Sequence, residues 1–95
     1  MGNMKDLIRQ FVEENADRPQ FIKSDFKEWY FFKVVGVSSA STLQNNFYFF
    51  KRMLEIFMVK NSNGVFSFNW DKIKKLYVDD PKVLEKVLKK AGVKK

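Results

Sequence analysis

The spacing of apolar side chains between residues 40 and 57 constrains this chain more than any other feature. Ala40, Leu43, Phe47, Phe50, Leu54 and Phe57 recur at alternating steps of three and four, the period of one helical face. In a strand the same residues would scatter over both sides, so the run is predicted to be a helix with its apolar side packed down. Ser38 or Ser39, just ahead of it, can accept a hydrogen bond from an unpaired first-turn N–H. At about 100° per residue, Ser41, Asn45, Tyr48 and Arg52 point away from the stripe, with Thr42 and Phe49 on its flank.

The next segment changes period. From Phe57 to Phe68, apolar and polar residues alternate around Asn63-Gly64, the strongest short-range hairpin signal. A two-residue type I′ turn there requires positive φ at both positions. That turn pairs Val59 with Phe68 and Asn61 with Phe66, putting Val59, Phe66 and Phe68 on the core face and Lys60 and Ser67 toward solvent.

Upstream, Met4, Leu7, Ile8, Phe11 and Val12 mark a helix from Asn3 to Ala16, with Asn3 able to cap it. Arg18-Pro19 ends it, because the residue before proline is pushed out of the α region. Asp25 with Glu28 three residues later has capping-box spacing, which favours a second helix through Trp29, Tyr30 and Phe32 that stops before Gly36. The aromatic and β-branched content also allows a strand from Trp29 to Val35. Downstream, Asn69 can cap Trp70 to Tyr77. Asp80-Pro81 then opens a helix that runs to Ala91 and ends at Gly92.

This reading is an α+β fold, mostly helical: three helices and a β-hairpin, followed by a helical extension. Residues 1–78 form the core and residues 79–95 a basic amphipathic helix and tail in the same single domain. The chain has 95 residues, 45% of them apolar, with eleven Phe. That suffices for one modest core, and it leaves rings over for a partner surface.

Several function classes drop out. Neither Cys nor His is present, which removes disulfides, zinc fingers, imidazole general bases and the usual nucleophilic triads. Four Gly cannot build a phosphate-binding or dinucleotide loop, and no such motif occurs. Asp80 is explained by capping, and Glu13-Glu14 as a solvated pair, so no enzyme activity, metal, cofactor or small-molecule substrate is expected. No apolar run approaches the roughly 20 residues that cross a bilayer, and the start lacks a secretory apolar stretch. The expected setting is intracellular, cytoplasmic or nucleoid-associated, without a membrane partner.

The net charge is +7, unevenly distributed. Residues 1–37 carry six Lys/Arg and six Asp/Glu, whereas residues 70–95 carry nine against four. Such a bias attracts polyanions over long range. Its alternative is a Lys-rich solubilising tail.

The order of helix, helix, Gly-containing turn, Ser-capped helix and Asn-Gly hairpin resembles the winged helix-turn-helix superfamily over about residues 3–69. The segment from Gly36 to Leu43 looks like its turn and recognition-helix start, and Leu54 to Lys60 is similar to its exit into the wing. Two departures are visible: Phe31 and Phe32 stand where a small residue is common in the second helix, and the stretch from Gly36 to Leu43 is one residue longer than usual. The resemblance implies sequence-specific binding of double-stranded DNA by a small transcriptional regulator or a plasmid or viral accessory protein.

A helix fits the major groove, where base edges distinguish all four pairs. Asn45 can contact adenine, Arg52 guanine or a phosphate, and Ser41 and Thr42 are short donors. Ser38 and Ser39 lie where backbone N–H groups favour a phosphate, and Tyr48 can bond a phosphate or stack on a sugar. Lys60, Asn61 and Asn63 fall at the hairpin tip, and Lys72 and Lys75 can add phosphate contacts. Trp70 reads as core. A homodimer is expected through Phe49 or through Val83, Val87 and Leu88 on the last helix, whose apolar stripe can instead pack on its own domain. Two alternatives stay open: a protein-docking adaptor using Tyr30, Phe49 and Ile56, and sequence-neutral DNA or RNA binding.

Overall fold

The computed structural model describes residues 4–34, 40–61 and 63–93. Helix α1 spans Met4–Asn15 and buries Ile8, Phe11 and Val12, as the spacing requires, with Ala16 buried just beyond its end. Its expected cap, Asn3, lies outside the described residues. The turn after it closes where the Arg18 N–H donates to the Asn15 carbonyl at 3.0 Å, one residue before Pro19.

Helix α2 spans Lys23–Val34, so the strand alternative fails and the start comes earlier than expected. The Asp25 carboxylate accepts from the Ile22 N–H at 2.8 Å, and the Asp25 N–H donates to the Ile22 carbonyl at 2.9 Å. Asp25 is therefore the third helical residue reaching back to the cap, not the cap itself. Arg18 pairs with the same carboxylate at 2.9 Å, fixing the connection between the two helices.

Helix α3 spans Ala40–Ile56. Phe50 and Leu54 are fully buried, and Phe47 and Phe57 pack partly buried against the same core. Phe11 sits at the centre, with ring centroids 5.3 Å from Phe21, 5.7 Å from Phe26 and 6.1 Å from Phe68. The rings of Tyr30 and Phe50 approach to 4.9 Å and join α2 to α3. Tyr30 is buried by this contact, so it is removed from the docking surface expected of it. Each such ring contributes about 1.5–3 kcal/mol by leaving water.

Strands β1 (Met58–Lys60) and β2 (Phe66–Phe68) form an antiparallel hairpin, paired Met58 with Phe68, Val59 with Ser67 and Lys60 with Phe66. This register is one residue away from the expected one. The loop has three residues, 62–64: the Asn61 N–H donates to the Val65 carbonyl at 2.9 Å and the Gly64 N–H to the Asn61 carbonyl at 3.2 Å. Gly64 alone takes positive φ here, at 76°, and no non-glycine among the described residues does. The type I′ turn is thus replaced by a turn followed by a left-handed glycine. Because side chains alternate, the shift turns Val59 outward and puts Met58 in the core.

A link absent from the expectations ties the hairpin to the helices. Phe21, between α1 and α2, bridges Phe66 through two backbone hydrogen bonds of 2.8 and 2.7 Å. Beyond the hairpin, the Asn69 side chain accepts from the Lys72 N–H at 3.4 Å and caps α4, Trp70–Ile73. The expected single helix then tightens into a 3₁₀ turn, Lys74–Tyr77. Trp70 packs partly buried against the core.

Helix α5 spans Pro81–Ala91 and ends at Gly92, with φ of 74°. Asp80 stands at the capping position without making the capping bond. Its carboxylate accepts instead from Arg9 at 3.2 Å. Val87 and Leu88 are buried within the chain, and Val83 packs partly buried on the same core. The dimer interface expected of these residues is corrected accordingly: the stripe packs on its own domain.

Candidate nucleic-acid interface

The outward side of α3 follows from its inward side. Because Phe50 and Leu54 are drawn fully into the core, residues half a turn away must face solvent. Tyr48 and Arg52 do so, and the Arg52 guanidinium lies 5.6 Å from the centre of the Tyr48 ring. Ser41, Thr42 and Asn45 lie in the first half of the same helix. Ser38 and Ser39, and the turn that would join α2 to α3, lie outside the described residues.

One flank of this face is apolar to a degree the sequence reading missed. Phe49, Met53 and Ile56 are 57%, 38% and 52% exposed, and Val59 continues the strip onto β1. Their spacing of four, three and three was available as a signal. It was masked because they lie beside the buried stripe and share its composition. On the other flank Lys51 pairs with Glu55 at 3.1 Å, and a shallow cleft between α2 and α3 is lined by Lys27, Phe31, Phe47, Tyr48 and Lys51.

The hairpin loop presents exposed Lys60, Asn61 and Asn63. The Asn61 side-chain oxygen accepts from the N–H groups of Asn63 and Val65 at 3.0 and 3.1 Å. That oxygen holds the loop, so Asn61 can offer a partner only its amide donors. The Lys60 ammonium lies 5.8 Å from the Phe66 ring centre. Helix α4 starts beside the exit of α3, because the Asn69 N–H donates to the Phe57 carbonyl at 2.9 Å. Lys72 and Lys75 are exposed on this segment.

Further positive charge, outside the residues singled out from sequence, sits on α5, where Lys82, Lys86 and Lys89 are exposed. Lys90 is engaged differently, donating to the Glu13 carbonyl at 3.0 Å. Acidic groups of the N-terminal helices are drawn into the fold's own contacts. Glu14 accepts from Lys33 at 2.8 Å, Trp29 at 3.1 Å and Gln10 at 3.0 Å. Burial alone would raise its pKa, but these three donors hold the carboxyl below the ordinary range.

Among the described residues, no group of three or more acidic side chains is placed to hold a metal ion. No described helix is long and apolar enough to cross a membrane. No protein-family model matches the chain, and neither a curated protein nor a solved structure is significantly similar to it.

Proposed function

We propose that this chain is a double-stranded DNA-binding protein of winged helix-turn-helix type that reads base edges with α3, as the working part of a small regulator. The observation that carries the reading is the two-sidedness of α3: Phe50 and Leu54 anchor one side at zero exposure while Tyr48 and Arg52 stand free on the other. The hairpin suits a wing, since β1 continues directly from α3 and Phe21 ties β2 back to the helices.

The chemistry matches a polyanion with a patterned groove. Arg52 has the planar donor fork that recognises guanine, and Asn45 the amide that recognises adenine. Lys60, Lys72 and Lys75 supply phosphate contacts, which position the protein without reading sequence. Selection of bound oligonucleotides from a random duplex pool tests the proposal. Enrichment of a motif supports it, and recovery of unselected sequence at every round contradicts it.

The exposed apolar strip favours a second reading, a protein-docking module using Phe49 and Ile56. Salt separates the two. Affinity that rests on phosphates falls steeply as salt rises, whereas affinity that rests on apolar burial does not.

A further inference from the structure

The apolar flank of α3 needs an occupant, and its geometry restricts what that occupant can be. Phe49, Met53 and Ile56 stand at i, i+4 and i+7, all exposed, beside the row that carries Arg52. Seven residues of helix cover about 10 Å at ~1.5 Å each, close to three base-pair steps of ~3.4 Å. The strip contains no carboxylate: Arg52 borders it on α3, and Lys60 follows its last member, Val59. An apolar floor with a positive rim is complementary to a surface that is apolar within and anionic at its edges.

A second copy of the chain fits poorly on this flank. Packing flank to flank would bring two α3 axes to about 8–10 Å. Two recognition helices in successive major grooves stand about 34 Å apart. RNA fits poorly as well, because its major groove is too deep and narrow for side chains to read, and uracil lacks the methyl group of thymine. The duplex DNA major groove supplies both required features, since each thymine projects a 5-methyl group between rows of phosphates.

We infer that Phe49, Met53 and Ile56 read thymine 5-methyl groups in the major groove, so that the target is thymine-bearing duplex DNA. The inference rests on the DNA-binding reading and specifies its substrate. Arg52 and Asn45 supply directional contacts, and the flank adds a contact that reports a methyl group alone.

The test compares the duplex enriched from a random pool with the same duplex carrying deoxyuridine for thymine, at constant salt, by fluorescence anisotropy. Each contacted methyl is expected to be worth about a three- to fivefold change in affinity, from about 0.8 kcal/mol per buried carbon. In Phe49→Ala and Met53→Ala, both exposed sites that keep the helical circular dichroism, the preference for thymine is expected to shrink while the salt slope stays. Equal affinity for both duplexes, or an enriched site without thymine, overturns the inference while leaving DNA binding intact. Absence of binding to any duplex overturns the functional reading itself. A concentration-dependent dimer in sedimentation that Phe49→Ser abolishes assigns the flank to a second copy and also overturns the inference.

Discussion

The Arg9 guanidinium lies 4.4 Å from the centre of the Tyr77 ring, while the Tyr77 hydroxyl donates to the Glu13 carboxylate at 2.9 Å. Arg9 also meets Asp80 at 3.2 Å and Asp79 at 3.8 Å. Two residues of α1 therefore clasp the segment between α4 and α5 from both sides. The C-terminal third is thereby part of the scaffold that holds α3.

Burial, reinforced by the neighbouring Glu13 carboxylate, raises the Tyr77 phenol well above its ordinary pKa of 10.0. The neutral phenol is the form the fold prefers, so its stabilisation is complete below about pH 10 and is lost as pH rises toward the higher native value. Tyr77→Phe should cost about 1 kcal/mol near neutrality by leaving the hydroxyl's partner unpaired. Its deficit should narrow by about pH 11, as followed by urea midpoints. An alkaline decline as steep in the variant as in the parent would assign that decline to other groups.

Glu14 behaves in the opposite sense. With its carboxyl below the model value of 4.5, its contribution is present above that pH and fades as pH falls through the lowered native value. Glu14→Gln should give a shallower acid limb in thermal melts between about pH 5 and 3. Parallel limbs would show that the bonds to Lys33 and Trp29 add nothing to stability.

The hairpin loop predicts a contrast between adjacent positions. Gly64→Ala should destabilise by about 1–2 kcal/mol, because a side chain at positive φ is strained even though the added Cβ meets nothing within 4 Å. Asn63→Ala should stay within about 0.5 kcal/mol, since Asn63 needs no left-handed backbone here. Denaturant midpoints decide this, and equal costs at both positions would restore the two-residue turn.

Leu88→Ala opens space inside the chain's own core and should cost about 2–5 kcal/mol. Because the lost contact is intramolecular, the drop in thermal midpoint should not vary with protein concentration. A dependence on concentration would place Leu88 between copies.

The helices were legible where one face alone is buried. The series through Phe47, Phe50 and Leu54 repeats at a period that only a helix can satisfy, and Ile8, Phe11 and Val12 do the same. The hairpin's existence was legible in Asn63-Gly64, but its register was not. A two-residue and a three-residue loop both suit that dipeptide, and the choice rests on the Asn61 carbonyl and side chain gathering N–H groups across the loop. The frame of the α2 cap was ambiguous for a related reason, since Asp25 can act as cap or as the third residue. Burial of Tyr30 depends on Phe47 and Phe50, distant in sequence, which local spacing does not report. Along α3, Phe49, Met53 and Ile56 could not be told from core by composition, because exposure is decided by what the rest of the fold leaves uncovered.

The central claim is that the outer face of α3 meets duplex DNA, and it is tested most directly by the affinity of Arg52→Ala. Binding of parent and variant to the enriched duplex and to a scrambled one is measured across a salt series, alongside their thermal midpoints. Loss of one directional base contact is worth about 1–3 kcal/mol, so the variant should bind the enriched duplex roughly five- to 150-fold more weakly. Its thermal midpoint should be nearly unchanged, and the scrambled duplex little affected. Unaltered affinity of Arg52→Ala for the enriched duplex would contradict the account.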